Sequence, residues 1–512
     1  MAAKKLVRGR WVIADSRNVI DDGAVLIDGE QILQVGAWAD LKARHDGPGA
    51  DLEVLGSERV AVLPGLINAH HHSAGATTLQ HGLPDQALES WILMHARLRA
   101  SDIGLDTLLS AGRLLKTGVT SVVEVRSGHG SAEAYAARCG KALEAYDRSG
   151  IRIAFAAGLH DQGYLVHGRD GDRAFLAGLP EDLRAAAEAT LPGPDELDQA
   201  DYFAILEELT ARYSDRPRVE VWFGPPGPPW VSDDFFLAIA ERAEALDTGI
   251  QTHLEESYYE RLHGPREYGR ATLTHLAELG VLGPRFSIAH GTWLSQPEIE
   301  IMAESGAAVS HNPSSNLRLR AGIAPLNALL AAGATVALGM DGTSLGDDED
   351  MFTEMRLALR LNRPPQIGTP APSPAEIFAL ATEGGAKLLR AEDRLGRLAP
   401  GHQADLVLVD LSRATWPWTA PEADPLDIVV QRARAGDVET VLVGGEMVLK
   451  DGRPTRFDAE AAGEELAARL AATPFPAEAT ALAERLLPYL ERYYAAWSAP
   501  RPAPYTSYNS RI

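Results

Sequence analysis

Cysteine is nearly missing from this chain: Cys139 is the only one in 512 residues. No intrachain disulfide can form and no thiolate cluster can hold a metal, so metal chemistry must rest on histidine and carboxylate, and a reducing cytoplasm is the expected setting. Long apolar runs are missing too. None approaches the roughly 20 residues that a membrane span needs. The basic start, Met1 to Arg10, lacks the apolar core and small-residue cleavage site of a secretory signal, and export is not expected. Positive charge is in deficit, with 48 Lys and Arg against 71 Asp and Glu and a formal charge of −23. That balance argues against nucleic-acid binding by phosphate neutralisation and suits a small neutral or cationic substrate, although it serves solubility equally well. No stretch has the form G-x-x-x-x-G-K-[ST], which sets aside a phosphate- or nucleotide-binding barrel.

What is present is globular in kind, 45% hydrophobic and 23% charged. From Lys5 to Val60 short strands alternate with tight turns, as in Val25-Leu26-Ile27, Asp28-Gly29 and Gln31 to Gly36, and the texture returns in Ala404 to Asp410 and Val441 to Leu449. The two terminal segments are expected to join in one small β-sandwich. Between them helix and strand alternate, with a glycine at each junction: Gly118, Gly150, Gly249, Gly306 and Gly333 read as helix C-caps feeding strands. The apolar runs that follow some of them, such as Val119 to Val125 and Ile151 to Ala157, lack period-2 alternation, as parallel strands buried on both faces do. A (β/α)₈ barrel is the economical reading, and a doubly wound sheet would give similar punctuation. The expected division is 1–61 for the first part of the β-sandwich, 62–394 for the barrel, 395–457 for the second part and 458–512 for a helical tail. Asp161 to Arg216 is long for a connection and predicts two helices and loops over the barrel mouth. The Pro-rich, aromatic segment Pro500 to Tyr508 is expected to pack on the barrel or on a neighbouring subunit.

Leu66 to His72 reads as the first barrel strand, with His70 and His72 two residues apart on one face at its C-terminal end. A histidine pair is weak evidence of a metal by itself. His253 closes the strand Gly249 to His253, and Asp341 closes Thr335 to Asp341, so three imidazoles and a carboxylate gather at strand ends. Glu256, three residues past His253, is placed to act as general base on a metal-activated water, with Glu255 pointing away. His290, closing Phe286 to His290, has the same placement and is expected to orient the attacking group or polarise the bond under attack.

With these residues go the segments Pro64 to His72, His253-Leu254-Glu255-Glu256, Ala289-His290-Gly291, Ser310 to Leu317, Gly339-Met340-Asp341-Gly342 and Leu395 to Leu406. In that order the chain resembles the amidohydrolase superfamily, in the cytosine deaminase-like branch that includes adenosine-analogue deaminases and triazine chlorohydrolases. The resemblance implies a (β/α)₈ barrel with His70, His72, His253 and Asp341 as ligands, Glu256 as proton shuttle and His290 acting at the substrate. It also implies a single ion, because binuclear relatives bridge two metals with a carbamylated lysine, and no lysine occurs between Lys141 and Lys387. Strand 4, Val219 to Phe223, runs instead into Gly224 to Trp230, a departure from relatives with a polar substrate contact there. Zn²⁺ is the expected ion, with Fe²⁺ the alternative.

The reaction expected is hydrolytic deamination of a nitrogen heterocycle or amidine, with dehalogenation of an aromatic heterocycle or hydrolysis of a cyclic amide or urea as alternatives. A catalytically dead scaffold relative is disfavoured, since all six chemical residues are present. Gln80, Trp91, Arg126, His160, Trp230 and Asn316 are the candidate substrate contacts, and a homodimer or homotetramer is the expected assembly.

Overall fold

A computed structural model describes residues 4–45, 51–193 and 195–497, so the tail segment Pro500 to Tyr508 lies outside the described residues. The chain opens with β1 (Lys4–Asp15), β2 (Asn18–Asp28), β3 (Gln31–Ala37) and β4 (Leu52–Pro64). Eight strands then alternate with helices: β5 (Leu66–His71), β6 (Val119–Ser127), β7 (Arg152–Gly158), β8 (Val219–Phe223), β9 (Ile250–Leu254), β10 (Phe286–His290), β11 (Ala308–His311) and β12 (Thr335–Leu338). β13 (Leu406–Asp410), β14 (Val438–Val443), β15 (Glu446–Lys450) and β16 (Arg453–Pro454) return to the first unit.

The terminal strands form one eight-stranded sheet in the order β16-β15-β14-β13-β4-β1-β2-β3. Its splice is the antiparallel pair β4–β13, with Val62 opposite Leu408. The β3 edge curls back on the segment before β13, where Ile32 N–H donates to the His402 carbonyl at 2.9 Å and Ala404 N–H to that of Glu30 at 2.7 Å. Val7, Val25, Ile32, Val62, Leu406 and Leu442 thereby share one apolar core, the small β unit expected from the sequence.

Strands β5 to β12 run in sequential order and pair in parallel. The seam between first and last is bridged by Met340 and Asp341, whose N–H groups both reach the His70 carbonyl, at 3.2 and 2.9 Å. That excludes the doubly wound alternative. The unbroken apolar runs now have their reason, since alternate residues serve two cores: Ile153 and Phe155 pack toward the helices, while Ala154, Ala156 and Trp222 share a second cluster with residues of β5, β6, β11 and β12.

Gly118, Gly150, Gly306 and Gly333 take φ of 85°, 82°, 74° and 76°, as helix C-caps should. Gly249 does not. Asp247 (φ 51°) takes the left-handed position there, and Gly249 is required because a Cβ would lie 2.5 Å from the Trp222 ring. Gly249→Ala is therefore expected to cost about 1–3 kcal/mol by overpacking, read as a lower denaturation midpoint.

The region 161–216 holds three helices where two were expected. Gln199–Arg212 is an ordinary barrel helix, with Tyr202 and Leu206 in the main core, because its apolar positions face β8. The other two, Gly171–Ala177 and Glu181–Glu188, pack with the helix Ala477–Ala495 in a separate cluster of Phe175, Leu183, Leu486, Leu490 and Tyr494. Among the described residues no helix is long and apolar enough to cross a membrane.

Candidate active site

His70 belongs to β5 and His72 follows it, His253 belongs to β9, His290 ends β10, and Asp341 follows β12. His290 (φ 75°), Asp341 (φ 57°) and Glu255 (φ 48°) are all left-handed, a conformation that costs a non-glycine residue on the order of 1–3 kcal/mol and that collects at functional sites. Specific contacts hold each one. His290 Nδ1 lies 2.8 Å from Asn316 Oδ1, Asp341 is tied to the β5 seam, and Glu255 takes Arg261 at 2.9 and 3.0 Å. Glu255 thus points away from the strand-end histidines, into an ion pair that Arg261 shares with Glu298.

The tautomers follow from the partners. His72 Nδ1 lies 2.6 Å from the Val125 carbonyl and His253 Nδ1 2.7 Å from the Pro226 carbonyl, and carbonyls only accept, so both Nδ1 atoms carry the proton. His70 Nδ1 lies 2.8 Å from Gln251 Oε1, whose own amide donates to the Ala69 carbonyl at 2.9 Å. All three rings therefore present Nε2 lone pairs. His72 and His253 Nε2 are 3.1 Å apart, and His70 Nε2 is buried without any partner. Asp341 Oδ1 lies 3.6 Å from His70 Nε2 and 3.4 Å from His72 Nε2. Facing lone pairs and a carboxylate repel or stay unsatisfied alone and fit a divalent cation, the donor set expected of zinc or iron. Burial lowers His70 well below the usual imidazole range, and burial and then the His72 ring push His253 down to about 3, which keeps both neutral. The middle histidine faces the other way: His71 Nδ1 meets the Asp341 carbonyl at 2.9 Å and its Nε2 the Ser110 hydroxyl at 2.8 Å. β8 brings no ligand, since Glu220 pairs with Arg394 and Trp222 lies in the barrel core.

Gln251 was not singled out by the sequence, although its position two residues before His253 on the same strand face carried the signal. Gln251→Ala is expected to weaken metal binding about 10- to 100-fold by freeing the His70 ring, read by competition with a chromophoric chelator.

Glu256 comes next to the cluster: its Oε2 is 3.5 Å from His290 Nε2, its Oε1 has no partner, and its side chain is buried. Burial, followed by the Glu260, Asp341 and Glu89 carboxylates, raises it well above the ordinary carboxylate range. Glu260 and Glu89, neither foreseen, complete a buried acidic trio. Glu260 accepts the Glu256 N–H at 3.0 Å and burial pushes it up to about 8, and Glu89 accepts the Ser257 hydroxyl.

A cavity of about 410 Å³ opens above these groups. His72, His253, Glu256 and Asp341 form its floor, and Trp91, Arg126, His160 and Trp230 line it as candidate contacts. Two candidates stand elsewhere. Gln80 lines a separate groove against the helix Ala459–Ala472, and its Oε1 is taken by the Thr77 N–H at 2.8 Å. Asn316 is buried with its carbonyl on His290, so it meets the imidazole rather than the cavity. Leu88, Ile92, His95, Ser73 and Tyr164 line the cavity without having been foreseen. They come from the short helices Leu88–Leu93 and Met94–Arg97 and from loops, where no periodicity marks a cavity wall.

The sequence model of the amidohydrolase family matches residues 61–448, and a short match to the bacterial imidazolonepropionase-like composite domain covers residues 23–47. The 5′-deoxyadenosine deaminase of Methanosarcina mazei is 29% identical over 88% of this chain and 95% of its own. The 5-methylthioadenosine/S-adenosylhomocysteine deaminase of Nitratidesulfovibrio vulgaris is 30% identical over 86% and 91%. Among solved structures, a zinc-bound adenosine deaminase of Xanthomonas campestris aligns at TM-score 0.77 and 26% identity over 92% of this chain and 99% of that one. The atrazine chlorohydrolase of Arthrobacter aurescens, at 24% identity and TM-score 0.71 over 91% and 100%, shares the fold.

Proposed function

Because the chain belongs to the amidohydrolase family, we propose that it is a mononuclear metal-dependent hydrolase that deaminates an amino-bearing nitrogen heterocycle. His70, His72, His253 and Asp341 would hold the ion, Zn²⁺ before Fe²⁺. When bound, it supplies Lewis acidity that lets water act as a nucleophile near neutral pH. Glu256 then takes one proton from the attacking water through its unpartnered Oε1 and gives it to the ring nitrogen, and next passes the proton left on the added hydroxyl to the departing nitrogen. His290, steadied by Asn316, sits between Glu256 and Asp341 at 3.5 and 3.8 Å and orients the attacked centre. In sum a C–O bond forms, the C–N bond breaks, and water and amine become an oxo ring and ammonia.

The observation that carries this reading is a buried carboxylate with a vacant oxygen, at the floor of a cavity, beside the convergent donors of His70, His72, His253 and Asp341. The two named relatives deaminate adenosine derivatives, and a 6-aminopurine ring is the substrate class we assign. A reducing cytoplasm and a homodimer or homotetramer complete the proposal; the thiol of Cys139 is buried, and burial pushes it up to about 11, out of reach of ready oxidation. Metal analysis together with ammonia release from aminated purines, pyrimidines and triazines tests it, with halide release from chlorinated analogues followed in parallel. About one ion per chain with ammonia released is the expected outcome. Halide alone, or neither product from a metal-loaded protein, would overturn deamination and leave only the site.

A further inference from the structure

Near the end of β6, Arg126 follows Val125, whose carbonyl steadies His72. One edge of its guanidinium is committed. Nε donates to Glu124 Oε1 at 3.0 Å, while Nη2 donates to the same oxygen at 2.6 Å and to the hydroxyl and carbonyl of Ser73. Glu124 is fixed in turn by the Tyr146 hydroxyl at 2.6 Å and by the N–H and hydroxyl of Ser73, each at 2.9 Å. Nη1 donates to no described residue, and Arg126 lines the cavity. Since Glu124 neutralises the guanidinium, Nη1 offers the cavity a directed donor rather than a free charge.

Glu256, after β9, is a second lining group with unused capacity, as are Trp91 and His95, whose Nε1 and Nε2 atoms also lack partners. Around the barrel, β7 and β8 lie between Arg126 and Glu256, and their loops supply His160, Tyr164, Pro226 and Trp230 to the wall. A ring with its amino-bearing carbon over His72 and His253 and Glu256 on one flank would turn its other flank toward the β6 side of the cavity, where Arg126 lies. A guanidinium has donors only, so the second flank must bring an acceptor. We propose that Arg126 determines specificity by demanding a hydrogen-bond acceptor on the flank of the amino-bearing carbon opposite Glu256. This rests on the deaminase reading and narrows it. The s-triazine ring qualifies with a nitrogen on each side of the amino-bearing carbon, and the 6-aminopurine ring with N1 on one side and N7, on the fused ring beyond C5, on the other; a cytosine-type ring presents C–H on one side and does not.

The test compares kcat/KM for 5′-deoxyadenosine with that for its 7-deaza analogue, in which N7, the acceptor on that side, becomes C–H. Wild-type enzyme is expected to prefer the parent by about 30-fold or more, the scale of one unmet polar contact near the reacting centre. In Arg126→Met combined with Glu124→Gln, which removes the donor without stranding a buried carboxylate, the preference should fall to within about threefold. The deaza ring's altered reactivity is common to both proteins, so that collapse isolates Arg126. Binding of inosine against 7-deazainosine to wild-type holoenzyme reads the same contact without turnover or variant, with inosine tighter by about 10-fold. Equal binding of that pair, an unchanged preference in the double variant, or ammonia released faster from cytosine than from any purine or triazine would overturn the assignment while leaving the deaminase reading intact. No ammonia from any ring would remove both.

Discussion

Glu256→Gln is expected to bind about one ion per chain as the parent does and to lose about 10²- to 10⁴-fold in kcat, the range a positioned acid–base group supplies. The amide matches the carboxylate in size and sits beside, not within, the ligand set, so the metal and the fold have no reason to change. Its loss is specific: an amide neither takes a proton from water nor hands one on. The position is prepared for that exchange, because burial and the Glu260 and Glu89 carboxylates raise Glu256 well above its ordinary range and its Oε1 has no other partner. Metal content by atomic spectroscopy and kcat from ammonia release are measured on the same sample. Turnover within tenfold of the parent would remove Glu256 from the proton path, since even a modest acid–base contribution is about 10²-fold.

How much of this could be read beforehand depends on where each contact lies along the chain. The barrel was legible because helix caps and apolar runs are local, and the gathering of His70, His72, His253 and Asp341 was legible because a parallel barrel puts every strand end on one rim. What holds those rings was not. His70 is oriented by Gln251, 181 residues away, and His72 by a backbone carbonyl 53 residues away, pairings that no spacing rule encodes. Gly249 reads as a cap and serves instead as a gap for Trp222, which only side-chain packing reveals. The cavity roof fared worst, because short helices and loops carry no periodic signal: Trp91 was singled out, whereas His95, one turn further on and in edge contact with it, was not. Gln80 shows the converse, a polar loop residue that satisfies its own turn at Thr77.

Asp341→Asn is expected to empty the site. The substitution keeps the size of the side chain and leaves untouched the backbone N–H that bridges the seam to His70, so the barrel should close as before. It removes the one anion among the proposed ligands and leaves three neutral imidazoles to hold a divalent cation. Disturbing a group that merely orients a ligand costs about 10- to 100-fold in affinity, so replacing the ligand itself must cost more, and purified protein should retain less than about a tenth of an ion per chain. Stability gives an independent reading. If the parent binds its ion at about 1,000 times Kd, the ion contributes about 4 kcal/mol to the folded state, so a chelator should lower the parent's melting temperature and leave that of Asp341→Asn where it was. Ser315→Ala is the control: its hydroxyl donates to Asp341 Oδ2 at 2.5 Å, and losing it should lower affinity only within the orienting range. A full ion in Asp341→Asn, held as tightly as in the parent, would strike Asp341 from the ligands and leave His70, His72 and His253 to share the ion with water.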